Sequence, residues 1–352
     1  MKKLACMMLI AAPLAAQIRP VSTYSIVARD SETGQIGVAV QSHWFAVGQI
    51  VPWAEAGVGA VATQSFVDPS YGKLGLDLLR AGKSSQEALQ ALLHGDASCQ
   101  VRQVGVIDAK GNVATFTGSR NIVAAGGTAG KQAAPIQVQC GSSGGAVSVG
   151  RDFAVQANLM ANADVWPAMA RAFTESTGDL ASRMLAALDA AQKAGGDIRG
   201  KQSAALIVVT AARSGKPWQD RIFDLRVDDH AEPLGELRRL VTLQRAYNHM
   251  NAGDLAVEHG DAEGALREYS AAEKIAATTS GIPRSRHAEM LYWHAVALVN
   301  MKRVDESLPL FRRAFELEAG WRELTGRLSR AGLLPDDDAL IKRITSVQPA
   351  RR

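Results

Sequence analysis

Two short strands joined by a polar turn, from Thr23 to Gln41, constrain the fold more than any other stretch of this 352-residue chain. Thr23–Arg29 is rich in β-branched and aromatic residues, and Gln35–Gln41 alternates isoleucine and valine with glycine and alanine. Asp30–Gly34 carries turn residues between them. Since both strands are apolar on both faces, the sequence predicts a β-hairpin within a sheet that is covered on each side.

Two pairs of helices are predicted between groups of strands. The later strands are predicted at Gly57–Ser65, Arg102–Asp108, Asn112–Thr117, Phe153–Leu159, Ser203–Val209 and Arg221–Val227. The helices are predicted at Asp68–Arg80, Gln86–Leu93, Ala163–Thr174 and Asp179–Ala194. This order predicts an α+β sandwich, in which two sheets stack face to face with helices outside. The stretch Ala124–Gly150, rich in glycine, alanine and serine, is predicted to be a long loop or an insertion.

The chain becomes uniformly helical in character from Pro233 onward, with dense alanine, leucine, glutamate and arginine. Four positions recur 42 residues later, as small, small, aromatic and small residues: Gly253, Ala265, Tyr269 and Ala272, then Ala295, Ser307, Phe311 and Ala314. The spacing within each set is that of a tetratricopeptide repeat, whose period is about 34 residues. We expect an enlarged loop around Ala277–Arg284 and capping helices at Glu236–Tyr247 and Trp321–Ala331. A generic helical appendage is the alternative.

The first sixteen residues predict a secretory signal peptide. Lys2 and Lys3 precede the apolar run Leu4–Leu14, and Ala15-Ala16 provide small residues for cleavage before Gln17. The run is too short to span a bilayer. We therefore expect export to a bacterial periplasm, the alternative being a cytosolic protein with a hydrophobic start. The predicted domains are residues 1–16, the signal; residues 23–229, the sandwich; and residues 233–335, the helical domain.

Composition and motif spacing argue against several classes of partner. The net charge is only +4, with no lysine- and arginine-rich run among aromatics, which argues against nucleic-acid binding. The seven histidines lack the spacing of metal ligands, so no metal site and no cofactor is predicted. No later segment is apolar enough to span a membrane, and self-assembly is left open. Once Cys6 leaves with the signal, Cys99 and Cys140 form either a disulfide or two free buried thiols.

Thr23 begins the first strand, and this position suggests a chemical role. The N-terminal nucleophile (Ntn) hydrolases start in this way, with a threonine at the head of a strand that continues into a hairpin. If cleavage exposes Thr23, its α-amine, with an ordinary pKa of about 7.7–8.0, can accept the proton of the hydroxyl. One residue then supplies both nucleophile and base. The alternative is an ordinary β-forming residue at a strand start.

Several motifs in order along residues 23–229 resemble one family. They are Thr23–Asp30, Phe45–Gly48, Gly57–Gln64, Pro69–Gly72, Arg102–Val106, Phe116–Gly118, Gln156–Met160 and Gly195–Leu206. In these the chain resembles the bacterial family called domain of unknown function 1028, which is placed in the Ntn-hydrolase superfamily. The resemblance implies a four-layer αββα sandwich, and some members carry a C-terminal helical-repeat region. The family name records no established reaction.

This chain departs from the family pattern in two places. Many members begin Met-Thr, whereas signal cleavage here leaves Gln17–Ser22 in front of Thr23. An additional, autocatalytic cut between Ser22 and Thr23 is therefore needed before the amine can act as a base. The stretch Ala124–Arg151 is also longer than is usual for the family, which reshapes the mouth of the predicted site.

Polar residues near strand ends are the candidate partners of Thr23. A nucleophilic mechanism needs donors that stabilise an oxyanion and groups that orient the substrate. Arg199 either binds a substrate carboxylate through two hydrogen bonds or pairs with Asp197. For each polar residue, a capping or turn role is the alternative. The candidates for substrate binding are Ser42, Gln64, Asn158, Asp197, Arg199 and Gln202.

The sequence thus predicts a secreted Ntn-type hydrolase in which Thr23 attacks a small amide substrate. The helical tail is predicted to contact a protein partner. The hypothesis from another class is a non-catalytic Ntn fold that binds a small ligand or acts as a scaffold. Whether Thr23 becomes a free N-terminus discriminates between them.

Overall fold

The computed structural model describes residues 20–131, 140 and 144–348. The predicted signal, residues 1–16, and its cleavage site before Gln17 lie outside the described residues. The strands of the described part are Thr23–Arg29 (β1), Ile36–Ser42 (β2), Pro52–Glu55 (β3), Gly59–Ser65 (β4), Arg102–Asp108 (β5), Asn112–Gly118 (β6), Gly126–Ala129 (β7), Gly145–Arg151 (β8), Phe153–Asn158 (β9), Ser203–Val209 (β10) and Arg221–Val227 (β11). Its helices are Ser70–Arg80 (α1), Ser85–His94 (α2), Val165–Glu175 (α3), Leu180–Lys193 (α4), Pro233–Glu258 (α5), Ala262–Thr278 (α6), Arg284–Asn300 (α7), Val304–Leu317 (α8), Gly320–Thr325 (α9) and Asp338–Thr345 (α10).

The strands form two antiparallel sheets. The six-stranded sheet has the order β11-β10-β2-β1-β9-β7, and the five-stranded sheet has the order β3-β4-β5-β6-β8. The predicted hairpin is present at the centre of the larger sheet, with Thr23 opposite Ser42 and Arg29 opposite Ile36. The mixed α/β structure with two antiparallel sheets agrees with the predicted α+β class.

The two sheets pack face to face, and helices cover both outer surfaces. Helices α1 and α2 pack on the five-stranded sheet, and α3 and α4, with the first part of α5, pack on the six-stranded sheet. Along β1, Tyr24 and Ile26 point toward the helices, whereas Val27 points between the sheets. Successive side chains of a strand point to opposite faces, so a strand buried on both faces is apolar throughout.

The expectation of a long loop at Ala124–Gly150 is wrong where the structure describes it. This stretch contains β7, which pairs with β9, and most of β8, which pairs with β6. The glycines allow close packing: a Cβ at Gly127 would lie 2.9 Å from the carbonyl oxygen of Val155, and one at Gly145 would meet the Phe116 ring at 2.3 Å. Strands made of such residues lack the apolar alternation by which strands are predicted. Residues 132–139 and 141–143 lie outside the described part.

Cys99 and Cys140 form a disulfide, with their Cα atoms 5.7 Å apart, which settles the alternative left open by the sequence. Both cysteines are buried in the core that α1 and α2 form with the five-stranded sheet. The bond links the turn before β5 to the segment between β7 and β8.

We expect the double variant Cys99→Ala, Cys140→Ala to lose about 4 kcal/mol of unfolding free energy. The bond closes a loop between residues separated by 41 positions, and the chain-entropy relation for that length gives about 4 kcal/mol. Urea unfolding with and without a thiol reductant measures this loss. The reductant should lower the midpoint of the wild type but not that of the variant, and equal sensitivity of the two proteins would contradict the assignment.

The C-terminal helices pack as the pairs α5 with α6 and α7 with α8. All eight positions of the predicted repeat are buried. A Cβ at Gly253 would lie 2.6 Å from the Tyr269 ring, so this helix crossing needs a glycine. The predicted enlarged loop is absent, since only residues 279–283 separate α6 from α7. The predicted Glu236–Tyr247 helix is part of α5, and Trp321–Ala331 divides into α9 and the short 3-10 helix Ser329–Ala331. Within the described ranges, no helix is long and apolar enough to cross a bilayer.

Candidate functional site

Thr23 is the first residue of β1, and its side chain is fully buried between the two sheets. Its neighbours in the sheet are Ser42 on β2 and Asn158 on β9, both directly opposite it in register. From the facing sheet, Gln64 Nε2 donates a hydrogen bond to the Thr23 carbonyl oxygen at 3.0 Å. The hairpin and the sheet stacking therefore bring four of the predicted site residues together.

The peptide bond between Ser22 and Thr23 is held by two donors. The Ser22 carbonyl oxygen accepts a hydrogen bond from Ser42 Oγ and another from Arg199 Nη2, the latter at 3.3 Å. The Thr23 hydroxyl lies 3.3 Å from Ser42 Oγ and 2.9 Å from the carbonyl oxygen of Val21. A nucleophilic side chain and a polarised carbonyl therefore belong to adjacent residues.

Asp197 pairs with Arg199, as one of the two interpretations of this arginine predicted. Asp197 Oδ1 accepts from Arg199 Nε at 3.1 Å, and Oδ2 accepts from Nη2 at 2.9 Å. The carboxylate is fully buried and also accepts the backbone N–H of His43 at 3.1 Å. A planar guanidinium paired along one edge has a fixed orientation, and Nη2 and Nη1 of this one also contact carbonyl oxygens of the chain before Thr23.

Gln64 and Asn158 are engaged within the protein rather than presented to a ligand. Gln103 Oε1 accepts from Gln64 Nε2 at 2.7 Å and from Asn158 Nδ2 at 2.9 Å. Gln103 Nε2 in turn donates to Thr117 Oγ1 at 2.9 Å. The Asn158 amide donor, predicted to face a substrate, therefore serves this interior network, and its Oδ1 is buried without a hydrogen-bond partner.

Gln202 contributes its backbone rather than its side chain. Its N–H donates to the Ser42 carbonyl oxygen at 3.0 Å, which holds the strand end beside Thr23. Its side chain instead donates to Asp229 Oδ1 at 3.1 Å. The Gln202 side chain is therefore directed to Asp229 rather than to Thr23.

Gln103 and Ser22 are the residues that the sequence analysis missed. A signal for Gln103 exists in the alternation of β5, because Gln103 and Ile107 share the face that points between the sheets. The same alternation places Ser25 and Gln156 on this inner face, where Gln156 Nε2 donates to Ser25 Oγ at 3.3 Å. One end of the space between the sheets is therefore polar, and the other end is apolar.

Tyr24 does not supply a base to this site. Burial raises the pKa of its hydroxyl well above the ordinary value, and the negative charge of Asp197 raises it further. The hydroxyl donates to Gln192 Oε1 at 3.0 Å on the helix-covered face of the sheet. It stays protonated and structural.

A cleft of about 610 Å³ lies elsewhere, between β3 and the β10–β11 edge of the larger sheet. None of the predicted site residues lines it. Residues that do include Trp53, Glu55, Ile207, Arg213, Arg221 and Arg226. Its walls thus combine apolar surface with three guanidinium groups.

Replacing Gln103 with leucine is expected to destabilise the protein by about 2–3 kcal/mol, because the buried amides of Gln64 and Asn158 lose their shared acceptor. Urea unfolding measures this loss. The matched control is Val106→Ala on the other face of the same strand, which should cost about 2 kcal/mol through lost packing. Only the Gln103 variant should also perturb the surroundings of Thr23. If both variants perturb them equally, the network does not hold Thr23 in position.

The fold is that of a mixed α/β protein with two antiparallel sheets, and a cluster of buried polar side chains lies at the head of a central strand. The model of a family of unknown function, DUF1028, matches residues 23–137 and 138–237, more than half of the chain. The chain belongs to this family, and the matched region ends within α5.

A solved structure is similar to this chain. It is the crystal structure of protein SPO2555 from Silicibacter pomeroyi, also a DUF1028 protein, at 29% sequence identity and a TM-score of 0.50. The match covers 67% of this chain and 92% of that one. No curated protein matches the chain.

Proposed function

We propose that this protein is an Ntn-type amidohydrolase whose nucleophile, Thr23, is released by cleavage of the Ser22–Thr23 bond. The observation that carries the proposal is the Ser22 carbonyl, held by Ser42 Oγ and Arg199 Nη2 beside the Thr23 hydroxyl. Two donors on a carbonyl oxygen are the arrangement that stabilises the oxyanion of acyl transfer. Four layers, with helices outside two stacked sheets, support the assignment to the αββα architecture.

The first step is self-cleavage. Thr23 Oγ adds to the Ser22 carbonyl carbon, and the negative charge that develops on the oxygen is stabilised by Ser42 and Arg199. The carbon–nitrogen bond breaks, and the hydroxyl proton ends on the Thr23 nitrogen. Water then hydrolyses the resulting ester, releasing the Ser22 carboxylate and regenerating the threonine hydroxyl.

Turnover of a substrate uses the same groups. The free α-amine of Thr23 takes the proton from its hydroxyl as Oγ attacks the amide carbonyl, and it then delivers that proton to the leaving amine. Water hydrolyses the acyl-enzyme. Ser42 and Arg199 again stabilise the oxyanion, while Asp197 keeps Arg199 oriented.

We also propose that the protein is exported and that its helical tail contacts another protein. The predicted signal at residues 1–16 directs the protein to the periplasm. The buried small and aromatic positions of α5–α8 support a tetratricopeptide-like arrangement, and such paired helices commonly contact other proteins. We therefore propose that this helical tail binds a protein partner.

The test is the intact mass and N-terminal sequence of the exported protein. We expect the mature protein to begin at Thr23. The next measurement is then the hydrolysis of a panel of small amides. A folded protein that persistently begins near Gln17 contradicts the free-amine mechanism, because an acylated nitrogen cannot act as the base.

A second candidate, ligand binding without catalysis, is favoured by the cleft between β3 and the β10–β11 edge. Arg213 pairs with Glu55, and Arg221 and Arg226 pair with Asp224, so an anionic ligand with an apolar part would use the remaining donors of these guanidinium groups. A panel of carboxylates and phosphates should then raise the melting temperature of the wild type but not that of Arg226→Met. No response to any anion, or an equal response of both proteins, would contradict binding in this cleft.

A further inference from the structure

Residues Pro20–Ser22, here called the leader segment, occupy the space beside Thr23, and Val21 forms an isolated β-bridge there. Val21 N–H donates to the Ser65 carbonyl oxygen at 2.7 Å, and Ser65 N–H donates back to the Val21 carbonyl oxygen at 3.0 Å. The two residues form an antiparallel bridge at the end of β4. The leader segment is therefore held at the sheet end through the backbone groups of Val21, the kind of contact that a peptide added to a sheet edge makes.

The side chains of the leader segment are enclosed. Val21 is fully buried in the core between the sheets, beside alanine and valine side chains. Ser22 is also fully buried, and its hydroxyl donates to the Asn158 carbonyl oxygen at 2.9 Å. The space suits a small apolar side chain followed by a small hydroxylated one.

The protein groups that hold the leader segment lose their partners when it leaves. They include the N–H and C=O of Ser65, Ser42 Oγ and Arg199, whose Nη2 contacts the Ser22 carbonyl oxygen at 3.3 Å and whose Nη1 contacts that of Pro20 at 3.5 Å. Ser65 Oγ is buried without a hydrogen-bond partner even while the segment is present. Buried polar groups without partners are costly, so a ligand that restores their hydrogen bonds is favoured.

The unusual backbone conformation of Ser65 fixes the position of this bridge. Its φ of 70° is left-handed, a region that non-glycine residues adopt rarely. Such a residue persists where the surrounding structure requires its unusual backbone orientation. At Ser65 that orientation presents both backbone groups to Val21.

We propose that the mature site accepts peptide-like amides whose acyl side mimics the leader segment. The substrate is an extended chain with a small hydroxylated residue at the cleaved carbonyl and a small apolar residue before it, and the amide of that apolar residue pairs with Ser65. This inference rests on the proposed function, since it names the substrate class of the Thr23 site.

The test uses the chain that starts at Thr23, obtained by self-cleavage or from a gene encoding methionine directly before Thr23. All strands and helices of the described structure lie from Thr23 onward. The probe is N-acetyl-Pro-Val-Ser, which carries the last three residues of the segment that self-cleavage would release. Its control is the ester analogue in which oxygen replaces the valine N–H, and calorimetry measures both affinities. We expect the analogue to bind about tenfold more weakly, because it cannot donate to the Ser65 carbonyl.

The outcomes separate this inference from the proposed function. If amides of the panel are hydrolysed but the peptide and its ester analogue bind equally, the hydrolase remains and the substrate class is wrong. If the peptide is preferred tenfold but no amide is hydrolysed, peptide recognition remains and the hydrolase proposal fails. Absence of peptide binding overturns the inference.

A second measurement uses the full chain. Val21→Trp should slow cleavage at Ser22–Thr23 by at least about tenfold, because an indole does not fit a fully enclosed valine site. Val21→Ala, which keeps a small apolar side chain, should be cleaved at a rate much closer to that of the wild type. Equal rates for the tryptophan variant and the wild type would show that the leader segment is not recognised as a substrate.

Discussion

Replacing Thr23 with alanine is expected to leave the Ser22–Thr23 position uncut and to abolish amide hydrolysis. Alanine has no hydroxyl to attack the Ser22 carbonyl, so the leader segment stays between the sheets. Loss of a nucleophile typically costs at least about a thousandfold in rate. Intact mass gives the N-terminus, and release of amine from an amide panel gives the rate.

Two variants control this experiment. Thr23→Ser keeps a hydroxyl and should still be cleaved. Ser25→Ala lies two residues along the same inner face and removes a hydrogen bond of 2.6 Å to Gln64, so it perturbs the polar interior while leaving the nucleophile intact. Should the alanine variant at position 23 mature at the normal rate, another protease makes the cut and the self-cleavage step is wrong.

Replacing Asp197 with alanine is expected to destabilise the fold by about 3 kcal/mol and to suppress cleavage before Thr23. Removing one partner of a buried ion pair leaves an uncompensated charge and commonly costs about 3–5 kcal/mol. We expect the lower end of this range because the Arg199 side chain is 29% exposed, so water partly solvates the charge that is left without a partner. Without the carboxylate, Arg199 is no longer oriented toward the Ser22 carbonyl.

The comparison for Asp197 is another aspartate–arginine pair on the protein surface. Asp189 pairs with Arg238, and both side chains are substantially exposed. Asp189→Ala should cost less than about 1 kcal/mol and leave maturation unchanged. Asp197→Asn keeps an acceptor for the His43 N–H but loses the charge, so an intermediate cleavage rate is expected. If Asp197→Ala matures normally at a temperature where it remains folded, Asp197 does not position Arg199 for the reaction.

The alternation of residues along single strands made much of the fold predictable. The hairpin around residues 30–34 and the strands Arg102–Asp108, Ser203–Val209 and Arg221–Val227 were predicted nearly to the residue, because their apolar runs end at turn residues. Helix α2 begins where Ser84 and Glu87 form a capping box, whose residue types are visible in the sequence. These signals are local, so they do not depend on which strands become neighbours.

Strands β7 and β8 were not predictable in this way. Their glycines and alanines have a weak preference for strands. The two segments are extended because β7 forms backbone hydrogen bonds with β9, and β8 forms them with β6. Likewise, the period-two placement of Gln103 was present in the sequence, but nothing local indicated that its amide would bridge Gln64 and Asn158.

Residue patterns along the chain were enough to predict the hairpin headed by Thr23, the α+β class, the family through its motifs in order, and most of the polar residues near the strand ends. The pairing of Arg199 with Asp197, the disulfide between Cys99 and Cys140, and the placement of the leader segment beside Thr23 became visible in the folded structure. Local chemistry decides which residues form a strand. Contacts between residues far apart in the chain depend on sheet order and stacking, which the burial of the whole core selects.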